Sequence, residues 1–374
     1  MSTQHTKQVD RETLTLFAEE LEALKADAMS QVGEKDARYI RRIIGVQRLI
    51  DILSRILIPC AFLFFSGPAM YILAAIGTIA LGLSKILDNM EIGHNVMHGQ
   101  YDWMNDPNIN SRKFDWDNAG DSNSWKRYHN HEHHTYTNVF GKDRDFGYGL
   151  LRLSDDLPWK PKNSWQVLTY LNLSFLFEWG VAYHELAGER IFFGKKKQES
   201  TLPISRAELR NAFFSKAAKQ IFKDYILYPL LFWPVALPVL VCSIAANMIR
   251  NLWTSSIIFC GHFTEDVHVF HEEDLENETK ADWYYRQILG SSNIRGSKLF
   301  HILSGHLSCQ IEHHLFPDLP APYYRELAPK VEALCQKYRI PYNTGSFLHQ
   351  YATVVCRILK YSFPAQDRRT QLQN

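Results

Sequence analysis

The 374-residue sequence lacks several features, and each absence excludes a class of function. It has almost no excess charge: Lys+Arg 41 against Asp+Glu 40 leaves a formal charge of +1. A chain so balanced offers no strongly basic face to nucleic acid, and no nucleic-acid partner is expected. Its six cysteines (Cys60, Cys242, Cys260, Cys309, Cys335 and Cys356) form no CxxC pair and none of the dense spacing of a disulfide framework. They describe a reduced chain without iron–sulfur ligation. There is no Gly-rich dinucleotide fingerprint, no internal repeat and no low-complexity tract. The opening stretch, MSTQHTKQVDRETLTLFAEELEALKADAM, is polar and acidic, where a secretion signal needs a basic start and an apolar core. Any membrane insertion is therefore expected to use internal segments.

Long uncharged runs are present, although the mean hydropathy of -0.25 hides them. No charged residue lies between Arg55 and Lys85, and this stretch breaks at Ser66-Gly67-Pro68, a turn signal. Tyr225 to Thr264 carries Arg250 as its one Lys, Arg, Asp or Glu and is interrupted by Pro234 and Pro238. A membrane-spanning helix needs about 20 largely apolar residues. Each region therefore reads as a hairpin of two helices whose ends extend into flanking charges such as Asp51 and Arg55, with side chains reaching the interface. Hydropathy alone leaves open four buried helices of a large soluble protein. Arg38, Arg41, Arg42 and Arg48 precede the first hairpin, and both hairpin tips are uncharged. The positive-inside tendency then puts the N-terminal, central and C-terminal segments on the cytoplasmic side.

The expected fold is an all-α integral membrane protein with four transmembrane helices in two hairpins and a cytoplasmic helical cap. The hairpins fall at about 46–90 and 223–263 and the cap at 91–222 and 264–330, together a 46–330 domain. Before it lies a cytoplasmic segment, 1–45, with an amphipathic helix over 10–31 carrying Leu14, Phe17, Leu21 and Leu24 at helical spacing. After it comes a cytoplasmic tail, 331–374. Ser164 to Tyr183 is apolar and aromatic but includes Glu178, which suits an in-plane interfacial helix. GKKKQES at 194–200 reads as a solvated loop.

Of the 16 histidines, nearly all outside the termini fall in or beside four short segments, all on the side assigned to the cytoplasm. The first holds His94 and His98; residues four apart share a helix face, so both imidazoles can reach one metal or two adjacent ones. The second, Tyr128 to Asn138, holds His129, His131, His133 and His134. Four imidazoles in six residues would repel if charged and would need partners if neutral, and metal ligation relieves both costs. His131 is set to point away from the other three. His262 ends the last apolar run, and Gly305 to Pro317 supplies His306, Gln310, His313 and His314, with the proline closing the segment. HEHHT, HELAG and HEEDL all fail the HExxH pattern of a zinc protease. A single zinc takes three or four ligands, so this many candidates call for two metals, and imidazole suits iron that must bind oxygen.

HNVMH, HNHEHHTYTNVFGKDRD and QIEHHLFPDLP resemble the three histidine boxes of the membrane fatty acid desaturase family, in the branch of the bacterial acyl-CoA and front-end enzymes. The similarity runs from about Asp88 to Glu326. It implies two iron ions, with O2 as co-substrate, and His94, His98, His129, His133, His134, His313 and His314 as ligands. His262 matches the extra histidine at the end of the last span, and Gln310 stands where other branches have the first histidine of the third box. His129 is separated from the vicinal pair by three residues where many relatives have two, so His131 stays a candidate. His306 is a candidate substitute for Gln310 or its supporting neighbour. Glu132, Glu265 and Glu312 are candidates to orient imidazoles.

The reaction implied is oxygen-dependent insertion of a cis double bond into a long acyl chain, at carbon 9 of an acyl-CoA or in an acyl-lipid. Arg112, Lys113, Lys126, Arg127, Lys142 and Arg144 flank the second box and are candidates for the head-group phosphates. The chain lacks the HPGG haem-binding string of the cytochrome b5 domain carried by many front-end relatives. Electrons are therefore expected from a separate ferredoxin-type or flavin reductase. The location implied is the inner membrane, multi-pass, among membrane lipid. A di-iron hydroxylase would share the ligands, and a histidine-rich metal transporter would instead place ligands near the bilayer midplane.

Overall fold

A computed structural model describes residues 9–193 and 205–364; the 194–200 loop lies outside the described residues. Helix α1 (Arg11–Ser30) starts where Asp10 caps the backbone N–H of Thr13 at 2.9 Å. Its apolar stripe, Leu14, Phe17 and Leu21, is buried against the rest of the protein rather than left for a lipid surface. Helix α2 (Glu34–Phe64) and helix α3 (Gly67–Ile86) pack as an antiparallel pair around the turn expected at Ser66. The α3 rod continues through a π-helical stretch, Leu87–His94, and a last turn, Asn95–Met97. It is therefore longer than the expected hairpin.

Two helices cross the polar half of the chain in the region read as interfacial, α4 (Gln166–Phe175) and α5 (Phe177–Glu185), with the direction changing at Leu176. Helix α6 (Arg206–Ile221) leads through a π-helical stretch, Phe222–Leu227, to a short helix, Tyr228–Leu231. The chain turns over Pro234 into α7 (Ala236–His262). Gly67–Met97 and Trp233–His262 are the two helices long and apolar enough to cross a membrane among the described residues. Gly82 lets them approach: a Cβ there would sit 2.9 Å from Ile249 Cγ2.

Charges in these runs meet partners inside the bundle instead of reaching outward. Lys85 pairs with Asp224 at 2.6 Å, and Arg55 joins the same carboxylate at 3.2 Å. Arg250 pairs with Glu178, which also accepts from the Ala119 backbone N–H at 3.0 Å. Glu178 thus ties α5 to α7, and its place in an apolar helix follows from burial with Arg250 rather than from an interfacial position.

Beyond α7 come α8 (Lys280–Leu289), α9 (Tyr324–Tyr338) and α10 (Phe347–Ser362). Strands β1 (Asn293–Arg295) and β2 (Thr344–Ser346) pair in parallel with Ile294 opposite Gly345. α1 packs on α8 and α9 in a core with Tyr284, Phe316, Leu327 and Val331. A boundary at 331 falls inside α9, and α10 packs on α4 and α7. The C-terminal segment is therefore part of the body as far as Pro364 and not an appended tail. All six cysteines are free thiols, with Cys356 exposed and Cys60 half-buried.

Candidate metal centre

The histidine boxes meet at the ends of the two long apolar rods. The first box sits where π-helical winding gives way to α, and the second opens with another π-helical stretch, Tyr128–His133, followed by His134–Tyr136. Such wide turns are rare and concentrate at functional sites. In this one, ring nitrogens of His94, His98, His129 and His313 lie within 4.8 Å of one another, as do those of His133, His262 and His314. His134 lies between the two groups, its ring centroid 4.8 Å from His98, 4.7 Å from His313 and 4.4 Å from His314. Gln310 Nε2 is 2.9 Å from His262 Nε2, which in turn lies 3.2 Å from His314 Nε2.

These nitrogens fit metal. The Nε2 atoms of His94, His98, His129, His134 and His313 are buried with no hydrogen-bond partner. Each unmet buried polar group costs about 1–3 kcal/mol, a penalty that a shared cation removes at every ring. Nδ1 of His134, His262 and His313 is likewise buried without a partner, whereas on His133, His314 and His94 it is held. His133 Nδ1 donates to Asp143 Oδ2 at 3.0 Å, with Asp145 Oδ2 at 3.6 Å. His314 Nδ1 is 3.0 Å from Gln287 Oε1 and 3.2 Å from Thr137 Oγ1, and His94 Nδ1 is 3.1 Å from Asn95 Oδ1. Occupying Nδ1 fixes the tautomer that leaves Nε2 as the donor to metal. Asp143 is itself braced, accepting from the backbone N–H groups of Asn138 and Asp145 at 2.8 and 2.9 Å.

Asp143, Asp145, Gln287 and Thr137 thus stand beside imidazole nitrogens, the position for which the sequence offered Glu132, Glu265 and Glu312. Glu265 is exposed, and Glu312 accepts from Tyr342 and Asn293, both at 2.8 Å, not from an imidazole. Burial pushes the Glu312 carboxyl up to about 7. His131 is exposed and outside both nitrogen groups. His306 also lies outside them: its Nδ1 is 2.9 Å from Glu91 Oε2, and Glu91 accepts from Tyr39 at 2.6 Å. The cause is backbone geometry. Gly305 and His306 both have positive φ, 63° and 57°, and a Cβ at 305 would lie 2.3 Å from the Met90 carbonyl oxygen. This left-handed pair turns His306 toward Glu91 instead of the site, so the role of ligand in place of Gln310 is not available to it.

Replacing Asp143 with asparagine keeps the shape but puts an amide beside His133. A fall of about 10–100-fold in metal affinity is expected, read by competition with a chelator and elemental analysis.

Burial, then the neighbouring imidazoles, holds His98, His134, His313 and His314 well below the ordinary histidine range. For His133 burial acts in the same direction, but Asp143 overcomes it and the pKa is raised. These four lowered groups outweigh the two raised ones, His133 and Glu312, whose contributions run the other way. As pH falls below about 6.5 the unfolded chain takes up protons that the folded chain refuses, so stability is full above that pH and is lost on acidification, by about 1.4 kcal/mol for each tenfold by which folding weakens proton binding. The metal-free protein should therefore melt several degrees lower at pH 5.5 than at pH 7.5 in scanning calorimetry.

A narrow cavity of about 70 Å3 runs past these rings. Trp125, Tyr148, Phe177, Ile258 and Phe263 line it near the histidines, and Asn89, Glu178 and Arg250 line it farther along. On α7, Arg250 is twelve residues from His262, roughly 18 Å of helix. Of the basic residues flanking the second box, Lys126 donates to the Ser111 carbonyl, Arg127 to Ser124 Oγ and Arg144 to the His184 carbonyl, while Lys142 pairs with Glu272. Arg112 and Lys113 are exposed.

Apolar rods ending in a buried cage of imidazoles, with a narrow cavity beside it, define a histidine-box protein. The family model described as Fatty acid desaturase matches residues 56–346. The NADPH-dependent stearoyl-CoA 9-desaturase of Mycobacterium tuberculosis is 42% identical over 364 residues, covering 96% of this chain and 82% of that protein. Acyl-lipid (7-3)-desaturase of Rebecca salina is 29% identical over 76% of this chain and 62% of its own length. Fatty acid desaturase 3 of Homo sapiens is 28% identical over 65% and 51%. The chain belongs to the fatty acid desaturase family and is an oxidoreductase.

Proposed function

We propose that this protein inserts a cis double bond at carbon 9 of a saturated long-chain acyl-CoA, using two iron ions, O2 and electrons from a separate reductase. The observation that carries the reading is the 42% identity, over 96% of the chain, to a stearoyl-CoA 9-desaturase whose name also records dependence on NADPH. With no dinucleotide fingerprint of its own, the chain would draw on NADPH through a ferredoxin-type or flavin reductase partner.

His94, His98, His129, His133, His134, His262, His313 and His314, with Gln310, would hold the iron. Iron with oxygen, when bound, supplies the oxidation of unactivated methylene C–H bonds, which acid–base side chains cannot perform. The chain's own residues position and exclude. Asp143 keeps the proton of His133 on Nδ1, and Gln287 and Thr137 do the same for His314. Trp125 stacks on His129 at 4.4 Å and shields that face from water. The acyl chain would lie in the cavity beside the rings with its head group outside, where Arg112 and Lys113 suit its phosphates.

In this reading α2, α3, the segment ending at Leu231 and α7 are the four spans, and the histidine end faces the cytoplasm from the inner membrane. The basic residues in the first half of α2 favour that orientation. Co-expression with a reductase, followed by mass-spectrometric mapping of new double bonds, is expected to yield 9-unsaturated products from stearoyl-CoA. Hydroxylated chains, or unsaturation only between an existing double bond and the carboxyl end, would overturn the proposal.

A further inference from the structure

Helix α10 is apolar on two sides. Its inner face, with Val354 and Ile358, is buried in the core shared with α4 and α7. Its outer face reads Leu348, Ala352, Cys356, Leu359 and Phe363, spaced four, four, three and four, and every one of them is exposed, Leu348 at 78% and Phe363 at 60%. That spacing draws one stripe down the helix, and water is a poor solvent for a contiguous apolar stripe.

The height of α10 beside α7 identifies what covers it. Trp253 of α7 contacts Phe347 at the start of α10, ring centroids 6.1 Å apart, and also Phe300 at 5.6 Å. Trp253 lies seventeen residues past Ala236, roughly 26 Å along the axis. A hydrocarbon layer of about 30 Å entered at Ala236 therefore ends near Trp253, the level at which aromatic side chains gather. The exposed stripe of α7 itself, Leu237, Val241, Ile244, Met248 and Leu252, climbs to that level. α4, packed against both helices, turns Leu168, Leu171 and Phe175 outward beside it. Exposed Arg295 and Lys298 stand next to exposed Leu299, just before Phe300, a basic edge suited to lipid phosphates.

We infer that α10 is an in-plane helix whose Leu348-to-Phe363 stripe sinks into the bilayer leaflet on the histidine side, forming one lipid-contacting ledge with α4. The inference rests on the proposed crossing of the membrane by α3 and α7. It gives the C-terminal segment a lipid surface as its partner, where the sequence had suggested a tail in water.

The native thiol on the stripe provides the test. In the full chain carrying Cys60→Ser, a nitroxide on Cys356 would be studied in phosphatidylethanolamine–phosphatidylglycerol vesicles. Reference labels would be Val241→Cys on α7 and Lys113→Cys on the exposed loop, each made with Cys356→Ser. The ratio of collisions with dissolved oxygen to collisions with a water-soluble nickel chelate is expected to be severalfold higher at 356 than at 113. If 356 matches 113 while 241 is shielded from nickel, α10 lies in water and the inference is overturned with the spans intact. If 241 also matches 113, the crossing itself fails. Shielding of 356 from both reagents would mean a second copy of the chain covers the stripe, which also overturns the inference.

Discussion

Replacing His313 with alanine should abolish desaturation, lowering double-bond formation by more than the roughly 100-fold that loss of a mere supporting partner can cost. The ring belongs to the group of His94, His98 and His129, and no nearby side chain can take its place. The protein should still elute as a folded particle, because removing one imidazole from the cage removes an unmet nitrogen as well as a contact. Metal content, by elemental analysis after reconstitution with ample iron, is expected to fall, since His94, His98 and His129 would hold their ion more weakly than the full group of four. Full metal content with full activity would remove the basis for the proposed chemistry.

The second large effect concerns folding. Arg250 is completely enclosed and donates to Glu178, to Asn247 Oδ1 at 3.0 Å and to Asn251 Oδ1 at 2.9 Å. Arg250→Ala strands the Glu178 carboxylate inside the bundle, which costs about 3–5 kcal/mol for a buried pair broken on one side. A clear fall in the thermal midpoint, together with poor recovery from membranes, is the expected result. The double change Arg250→Met with Glu178→Leu should recover most of the loss, since apolar replacement of both partners is often neutral. If Arg250→Ala melts like the parent protein, the ion pair does not hold α5 to α7.

The helical architecture, both hairpin turns and the converging histidines could be read from the chain because each leaves a local mark. An uncharged run marks an apolar rod, Ser66-Gly67-Pro68 and Pro234 mark breaks, and four imidazoles in six residues are hard to accommodate without a cation between them. What the sequence concealed depends on contacts between distant segments. Gln287 is one amide on an amphipathic helix, and nothing nearby in sequence announces that it meets His314 from 27 residues away. Asp143 and Asp145 lie in plain view in the KDRD string, but reaching His133 requires the turn in which Asn138 and Gly141 take positive φ. Glutamates next to histidines in sequence are the more conspicuous carboxylates, although adjacency on a helix sends neighbours to different faces. His306 misleads for a similar reason: helical spacing suggests a ligand, and two left-handed residues turn it to Glu91. Glu178 reads as interfacial because its partner lies 72 residues further along the chain.

His313 and His314 are successive residues, yet each lends its ring to a different nitrogen group. The separation of the two nitrogen groups, and of any two cations they would hold, is therefore tied to a single peptide link, which cannot stretch. Loosening of the surrounding helices by heat or detergent would then empty the pair before it altered their spacing, and a partly denatured sample should contain a mixture of filled and vacant molecules rather than a continuum of distorted centres.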